Sequence, residues 1–164
     1  MPGRPPIYGH AEDFRRFIQE EVFPLVEHNY RVDMKRKIYA GHSYGGLLGA
    51  YILLTAPAMF ERYIISSPSF WFDNKIMLSR ARSYTGSHSD LPASVFFDVG
   101  AYETINRASH DERYNHTQDL VRDLQVFEDQ LKSPRYPSLQ IASWILPDED
   151  HLTVFPSAVT RALK

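Results

Sequence analysis

Residues 37–51 read KIYAGHSYGGLLGAY: a short apolar run, a serine bracketed by glycines, and a second, longer apolar run. Ile38, Tyr39 and Ala40 have the composition of a short strand, and Leu47 to Thr55 that of a helix apolar on nearly every side, hence a buried one. Gly41-His42-Ser43-Tyr44-Gly45 fits G-x-S-x-G at the place where the pattern changes from strand to helix. There the motif has a mechanical reading. The serine occupies a strained turn with its hydroxyl exposed, and Gly41 and Gly45 give strand and helix the clearance to approach. The helix N-terminus and the Tyr44 amide face the place where an oxyanion would develop.

A serine hydroxyl needs a base, and the base an orienting acid, so this reading predicts Asp or Glu and then His further along the chain. The chain holds seven histidines. His42 adjoins the serine on the wrong side of the turn to take its proton. His10, His28, His88, His110 and His116 fall in polar loops or at helix edges. His151 follows the last strand candidate in the loop PDEDHLTVFP, at the carboxyl edge where a parallel sheet presents its functional groups. It is the candidate base. The stretch VFFDVGAYET offers two acids, Glu103 on the loop past Gly100 and Asp98 within the strand. Glu103 is favoured and Asp98 stays open. Asp148 and Asp150 read as a solvated acidic turn.

Around this centre the chain reads as alternating helices and strands. Phe14, Phe17, Ile18, Val22, Leu25 and Val26 recur at helical spacing opposite Glu12, Arg15, Arg16, Gln19 and Glu20, and Pro24 is expected to kink or divide that helix. Residues 1–10, with three prolines and two glycines, read as irregular, and RVDMKRK at 31–37 as a solvated connector. Further strands are expected at Arg62 to Pro68, Val95 to Gly100 and Gln140 to Pro147, the first ending at Pro68 in a turn with Phe70, Trp71 and Phe72. A helix runs through Leu120, Leu124, Phe127 and Leu131, and a short one closes the chain over 155–164. This order implies βαβ crossovers: a single α/β domain over residues 1–164, with a mostly parallel sheet covered by helices on both faces.

Composition narrows the function. The 164 residues are 43% hydrophobic and carry 18 Lys and Arg against 20 Asp and Glu, so no net field draws the chain to nucleic acid or an anionic membrane. With no cysteine there is no disulfide, thiolate metal site or cysteine nucleophile. No run has the length of a signal peptide core or a membrane span, which points to a soluble, cytoplasmic protein. H-E-x-x-H is absent and the histidines and acids lack ligand spacing, so neither a metal nor an organic cofactor is expected.

On these residues the chain resembles the putative-esterase family of α/β-hydrolases, which includes the enterochelin and salmochelin siderophore esterases of bacteria. The resemblance rests on FRRFIQEEVFPLVEHNY, on KIYAGHSYGGLLGAYILLTAPAMFERYIISSPSFWFDN, on FFDVGAYET and on LPDEDHLTVFPSAVTRAL, in that order. It implies Ser43 as nucleophile, Glu103 as acid after a G-x-x-E turn, and His151 as base. It also sets Phe70 and Trp71 near the substrate mouth, with packing under the loop as their alternative role; His42 joins them as a substrate contact. The implied reaction is hydrolysis of a small ester, of the siderophore type or another.

Family members usually carry several more strands ahead of the helix at Asp13, together with the loop that supplies a second oxyanion amide. The resemblance therefore implies a partial α/β-hydrolase fold lacking its N-terminal strands, with the Ile38 strand open at an edge. An open apolar edge invites association, so the chain is expected to form a homo-oligomer in which another copy completes the sheet. Losing one oxyanion donor typically costs about 10²- to 10³-fold in rate. The competing expectation is a non-catalytic hydrolase-fold fragment serving as a binding or assembly module.

Overall fold

The computed structural model describes residues 9–164 and divides the chain into two compact units, 1–35 and 36–164. The described part of the first is one helical rod: α1 (Ala11–Phe17), a π-helical turn (Ile18–Val22) and α2 (Phe23–Asn29). The expected break at Pro24 takes this form. Proline has no amide to donate, and the preceding residue, Phe23, bonds the Ile18 carbonyl in five-residue register. Arg15 pairs with Glu12 and Arg16 with Glu20 along the polar side, and no residue of the rod is buried. The irregular segment expected over 1–10 lies almost wholly outside the described residues.

The second unit holds β1 (Ile38–His42), α3 (Tyr44–Thr55), β2 (Arg62–Ser66), α4 (Phe72–Ser87), β3 (Ala93–Gly100), α5 (Leu120–Lys132), β4 (Leu139–Leu146) and α6 (Val154–Ala162). Its four strands pair parallel in the order β1-β2-β3-β4. Alternation of side chains assigns the faces. Tyr39 lies where a side chain on Gly49 of α3 would meet it, and Phe97 packs edge-on against Phe127 of α5 at 5.9 Å. Residues of that parity therefore face α3, α4 and α5, which touch one another in series. His42, Ser66 and Asp98 have the opposite parity and face the side of α6, which packs on β2 and β3 and whose Val154 and Ala158 cluster with Leu146. Helices thus lie on both faces, as expected from the alternation of elements.

One helix was not legible. In α4 only Met77, Ala81 and Tyr84 are buried, a thin stripe among Ser79, Ser83, Thr85, Gly86 and Ser87, which are weak helix formers. Its first turn is irregular too, with Asp73, Asn74 and Lys75 all at positive φ. Lys75 Nζ, 2.6 Å from Asp123 Oδ1, ties this turn to α5.

The glycines around Ser43 are corrected by the fold. A Cβ on Gly41 would lie 2.4 Å from the Gly45 carbonyl oxygen, on Gly46 2.8 Å from the Ser66 carbonyl oxygen, and on Gly49 2.5 Å from the Tyr39 ring. At Gly45 a Cβ would meet nothing within 4 Å. Clearance is needed at Gly41, Gly46 and Gly49. Gly45 contributes only its backbone, whose carbonyl accepts the Tyr39 hydroxyl at 2.6 Å. The two ends of the motif are expected to respond oppositely in urea denaturation. Gly41→Ala should lose about 1–3 kcal/mol to overpacking, whereas Gly45→Ala should be neutral or gain up to about 1 kcal/mol of helix propensity.

Candidate active site

Ser43 sits between β1 and α3 at φ 58° and ψ −116°, a conformation costing a non-glycine residue on the order of 1–3 kcal/mol. Backbone bonds hold it there. Its amide donates to the Ser66 carbonyl at 3.0 Å, and its own carbonyl accepts from the amides of Leu47 at 3.0 Å and Ser69 at 3.1 Å. The side chain is thereby turned out of the strand–helix corner, with Oγ 3.0 Å from His151 Nε2 and 3.3 Å from Ser69 Oγ. Tyr44 begins α3, so its amide is among those left without an intrahelical acceptor, beside Ser43.

His151 arrives on the β4–α6 loop, and a second close approach brings it near β3. A Cβ on Gly100 would lie 2.4 Å from the Glu149 carbonyl oxygen. With that side chain absent, the amide of Ala101 bonds the Leu146 carbonyl at 2.9 Å and that of Tyr102 bonds Glu149 at 3.1 Å. The loop around the histidine is fixed by Asp150, whose Oδ1 accepts the amides of Leu152 and Thr153. Asp150 is therefore a turn-forming residue, and Asp148 an exposed one, 3.4 Å from the Tyr102 hydroxyl.

Glu103 is buried just beyond Gly100, in a tight turn in which its amide donates to the Gly100 carbonyl at 3.0 Å. One carboxylate oxygen, Oε1, accepts the Gly100 amide at 2.8 Å and the Ser67 hydroxyl at 2.5 Å; the other, Oε2, lies 2.5 Å from His151 Nδ1. Of the two acids left open by the sequence, Glu103 is the one bonded to the histidine. This pairing raises the imidazole above its ordinary pKa, the Glu103 hydrogen bond being the chief cause and partial burial opposing it. It also favours the tautomer that presents a bare Nε2 to Ser43.

Asp98 occupies a separate position on the α6 face of the sheet. It is fully buried, Oδ1 accepts the Ser66 hydroxyl at 2.6 Å, and Oδ2 has no hydrogen-bond partner. Burial first, with the Glu103 charge adding to it and the Ser66 hydrogen bond opposing, pushes its pKa up to about 7. His42 is half-buried, its ring 4.5 Å from that of His151 and 5.6 Å from that of Phe155. The other five histidines are all exposed.

The two aromatic positions separate. Phe70 is wholly buried and stacks on Phe127 at 4.4 Å, so it belongs to the core and cannot touch a substrate. Trp71 is half-buried and packs edge-on against the exposed ring of Tyr44 at 5.8 Å, with Phe72 5.9 Å from Tyr44 on another side. Sequence reasoning overlooked Ser66, Ser67 and Ser69, because S-S-P-S after a strand reads as an ordinary turn. The signal available was position: all three fall at the carboxyl end of the strand next to the serine-bearing one.

The family model described as "Putative esterase" matches residues 3–135. The chain is 31% identical to the ferri-bacillibactin esterase BesA of Bacillus subtilis, covering 100% of this chain and 56% of BesA. It is likewise 31% identical to the siderophore enterobactin esterase of Emericella nidulans, covering 98% of this chain and 57% of that protein. The crystal structure of BES protein from Bacillus cereus superposes with a TM-score of 0.78 at 27% identity, over 99% of this chain and 56% of that one. The chain therefore spans about half the length of these relatives.

The raised pKa of Asp98 has a stability consequence. Unfolded, the carboxyl loses its proton near 3.8; folded, it keeps it to about 7. The folded state binds the extra proton in that window, so this group's contribution to stability falls as pH rises from about 4 to 7. Asp98→Asn removes the titration. Thermal melts should show the variant gaining on the parent as pH rises through the window, by on the order of a few kcal/mol at its top.

Proposed function

Since the chain belongs to the esterase family described as "Putative esterase", we propose that it carries the nucleophile, base and acid of a serine carboxylic-ester hydrolase. The observation that carries this reading is the unbroken hydrogen-bond chain from Ser43 Oγ through both nitrogens of His151 to Glu103. Ser43 stands on a nucleophile elbow. Its Oγ attacks the ester carbonyl while His151 Nε2 takes the hydroxyl proton; Glu103 holds the other ring nitrogen and stabilises the imidazolium. The imidazolium then protonates the departing alcohol, leaving the acyl group on Ser43. Water, deprotonated by the same nitrogen, attacks the acyl carbonyl, releases the carboxylic acid and restores the serine. The Tyr44 amide at the start of α3 serves as one oxyanion donor.

The substrate class we propose is a siderophore-type ester, on the strength of what BesA and the Emericella nidulans protein are named for. The exposed Tyr44 ring and the half-buried Trp71 supply an aromatic wall beside Ser43 for the acyl or alcohol part, and aromatic faces suit flat ring substituents. Included in the proposal is a second chain against β1. That strand lies at the end of the sheet order, with Ile38 and Ala40 exposed, and an open strand edge is a pairing template. A stable monomer in analytical ultracentrifugation at micromolar concentration would exclude self-association.

Hydrolysis of p-nitrophenyl butyrate tests the chemistry. Ser43→Ala and His151→Ala are expected to lower kcat by about 10⁴-fold or more, and a fluorophosphonate probe to label the parent at Ser43 but not the Ser43→Ala variant. Equal turnover by parent and Ser43→Ala would reject the reading. Only neutral His151 accepts the proton, and its pKa is raised, so kcat/KM should rise with pH along a limb centred above 6.5. In Glu103→Gln, which lacks the main raising influence, that limb should move to lower pH.

A further inference from the structure

Two hydrogen-bond chains converge on His151, one bonding its imidazole and the other reaching it through a ring contact. The first is Ser67–Glu103–His151, reaching the edge of the ring at Nδ1. The second runs across the sheet in strict register, His42 opposite Ser66 and Ser66 opposite Asp98. The Ser66 hydroxyl donates to Asp98 Oδ1 at 2.6 Å, which leaves its lone pairs toward His42 Nδ1, 3.4 Å away. The His42 ring then lies against His151, at 4.5 Å between centroids and 41° between planes.

We infer that His42 is a positioning residue: anchored from behind by Ser66 and Asp98, it forms the surface that keeps the His151 ring aligned with both Ser43 and Glu103. The need for such a surface follows from exposure. The His151 side chain is 38% exposed and rides on a loop, and its bonds to Glu103 and Ser43 hold only the two nitrogen edges, leaving the face of the ring to be supported by packing. Holding a half-exposed side chain in one rotamer has an entropic cost that packing on a fixed neighbour offsets. His42 is suited to the task because its own backbone belongs to β1 and because its surroundings favour the neutral ring. Burial, then the neighbouring His151, lower its pKa, so it does not oppose the imidazolium as that forms. Asp98, buried and bonded through one oxygen only, has Ser66 as the one hydrogen-bond partner of its side chain among the described residues.

The inference rests on the esterase reading for His151 as base, but its test does not depend on turnover alone. In the parent, proton NMR should show a low-field Nδ1–H signal of His151 protected by Glu103, and a ring titration above 6.5. In His42→Ala the low-field signal should broaden away and the titration fall toward 6.5, as the Glu103 bond loosens. In parallel, kcat for p-nitrophenyl butyrate should drop about 10- to 100-fold, the range for misplacing a catalytic group by an ångström, with KM nearly unchanged. Ser66→Ala should produce a smaller loss in the same direction, and that loss should disappear in the His42→Ala background. If His42→Ala does not fold, Ser66→Ala decides by the same NMR signals. An unchanged His151 titration and low-field signal would overturn the inference, as would an effect confined to KM or fully additive losses in the double variant. Should the parent fail to label with a fluorophosphonate, the esterase reading fails, and the NMR comparison still decides the role of His42.

Discussion

The structure depends on one backbone corner, the passage from β1 into α3 at Ser43. Holding a serine at φ 58° is unfavourable by on the order of 1–3 kcal/mol, and three backbone hydrogen bonds to Ser66, Leu47 and Ser69 oppose the relaxation. Those bonds exist only because α3 lies hard against β1 and β2. That approach in turn requires no side chain at Gly41, Gly46 and Gly49, where a Cβ would sit 2.4–2.8 Å from a carbonyl oxygen or an aromatic carbon. The strain is therefore maintained by packing some distance from the hydroxyl it exposes.

The same device recurs at the far side of the site. Gly100 lets the end of β3 touch the loop after β4, and the two bonds made there, from Ala101 and Tyr102, bring Glu103 and His151 within one hydrogen bond of each other. Ser67, with φ 41°, completes the arrangement by aiming its hydroxyl at the buried carboxylate. Three adjacent parallel strands thus each end in a residue that addresses the imidazole directly or through one intermediary: Ser43 after β1, Ser67 after β2, Glu103 after β3. The histidine itself follows β4. A parallel sheet makes this possible because all its carboxyl ends open on one side.

Electrostatics separates the two buried carboxyl groups of β3 and its loop. Glu103 accepts two fixed donors on one oxygen and the imidazole on the other, whereas Asp98 has one donor and a bare oxygen. The poorly solvated one is pushed up to about 7, and the negative charge of its neighbour reinforces the effect. Two acids five residues apart thus meet different surroundings: Asp98 is buried with a single donor, and Glu103 has three hydrogen-bond partners.

Much of this was legible in the chain, and the limits have physical causes. The strand, serine and helix of residues 37–51 are readable because local periodicity and glycine spacing are properties of contiguous residues, as is the order of serine, acid and histidine. The alternation of helices and strands likewise dictates a parallel sheet. Sequence left the choice between Glu103 and Asp98 open, because both lie at the end of one strand and only the direction of each side chain distinguishes them. It assigned clearance to Gly45 although its Cβ position is open, and a substrate contact to Phe70 although Phe127 covers it, since both depend on residues distant in the chain. The serines after β2 and the helix at α4 carry too weak a local pattern to be singled out. Local sequence determined which residues sit at strand ends and turns; the tertiary packing decided which of them meet, because a hydrogen bond across Ser43, Glu103 and His151 requires elements up to 108 residues apart to be fixed within about 3 Å.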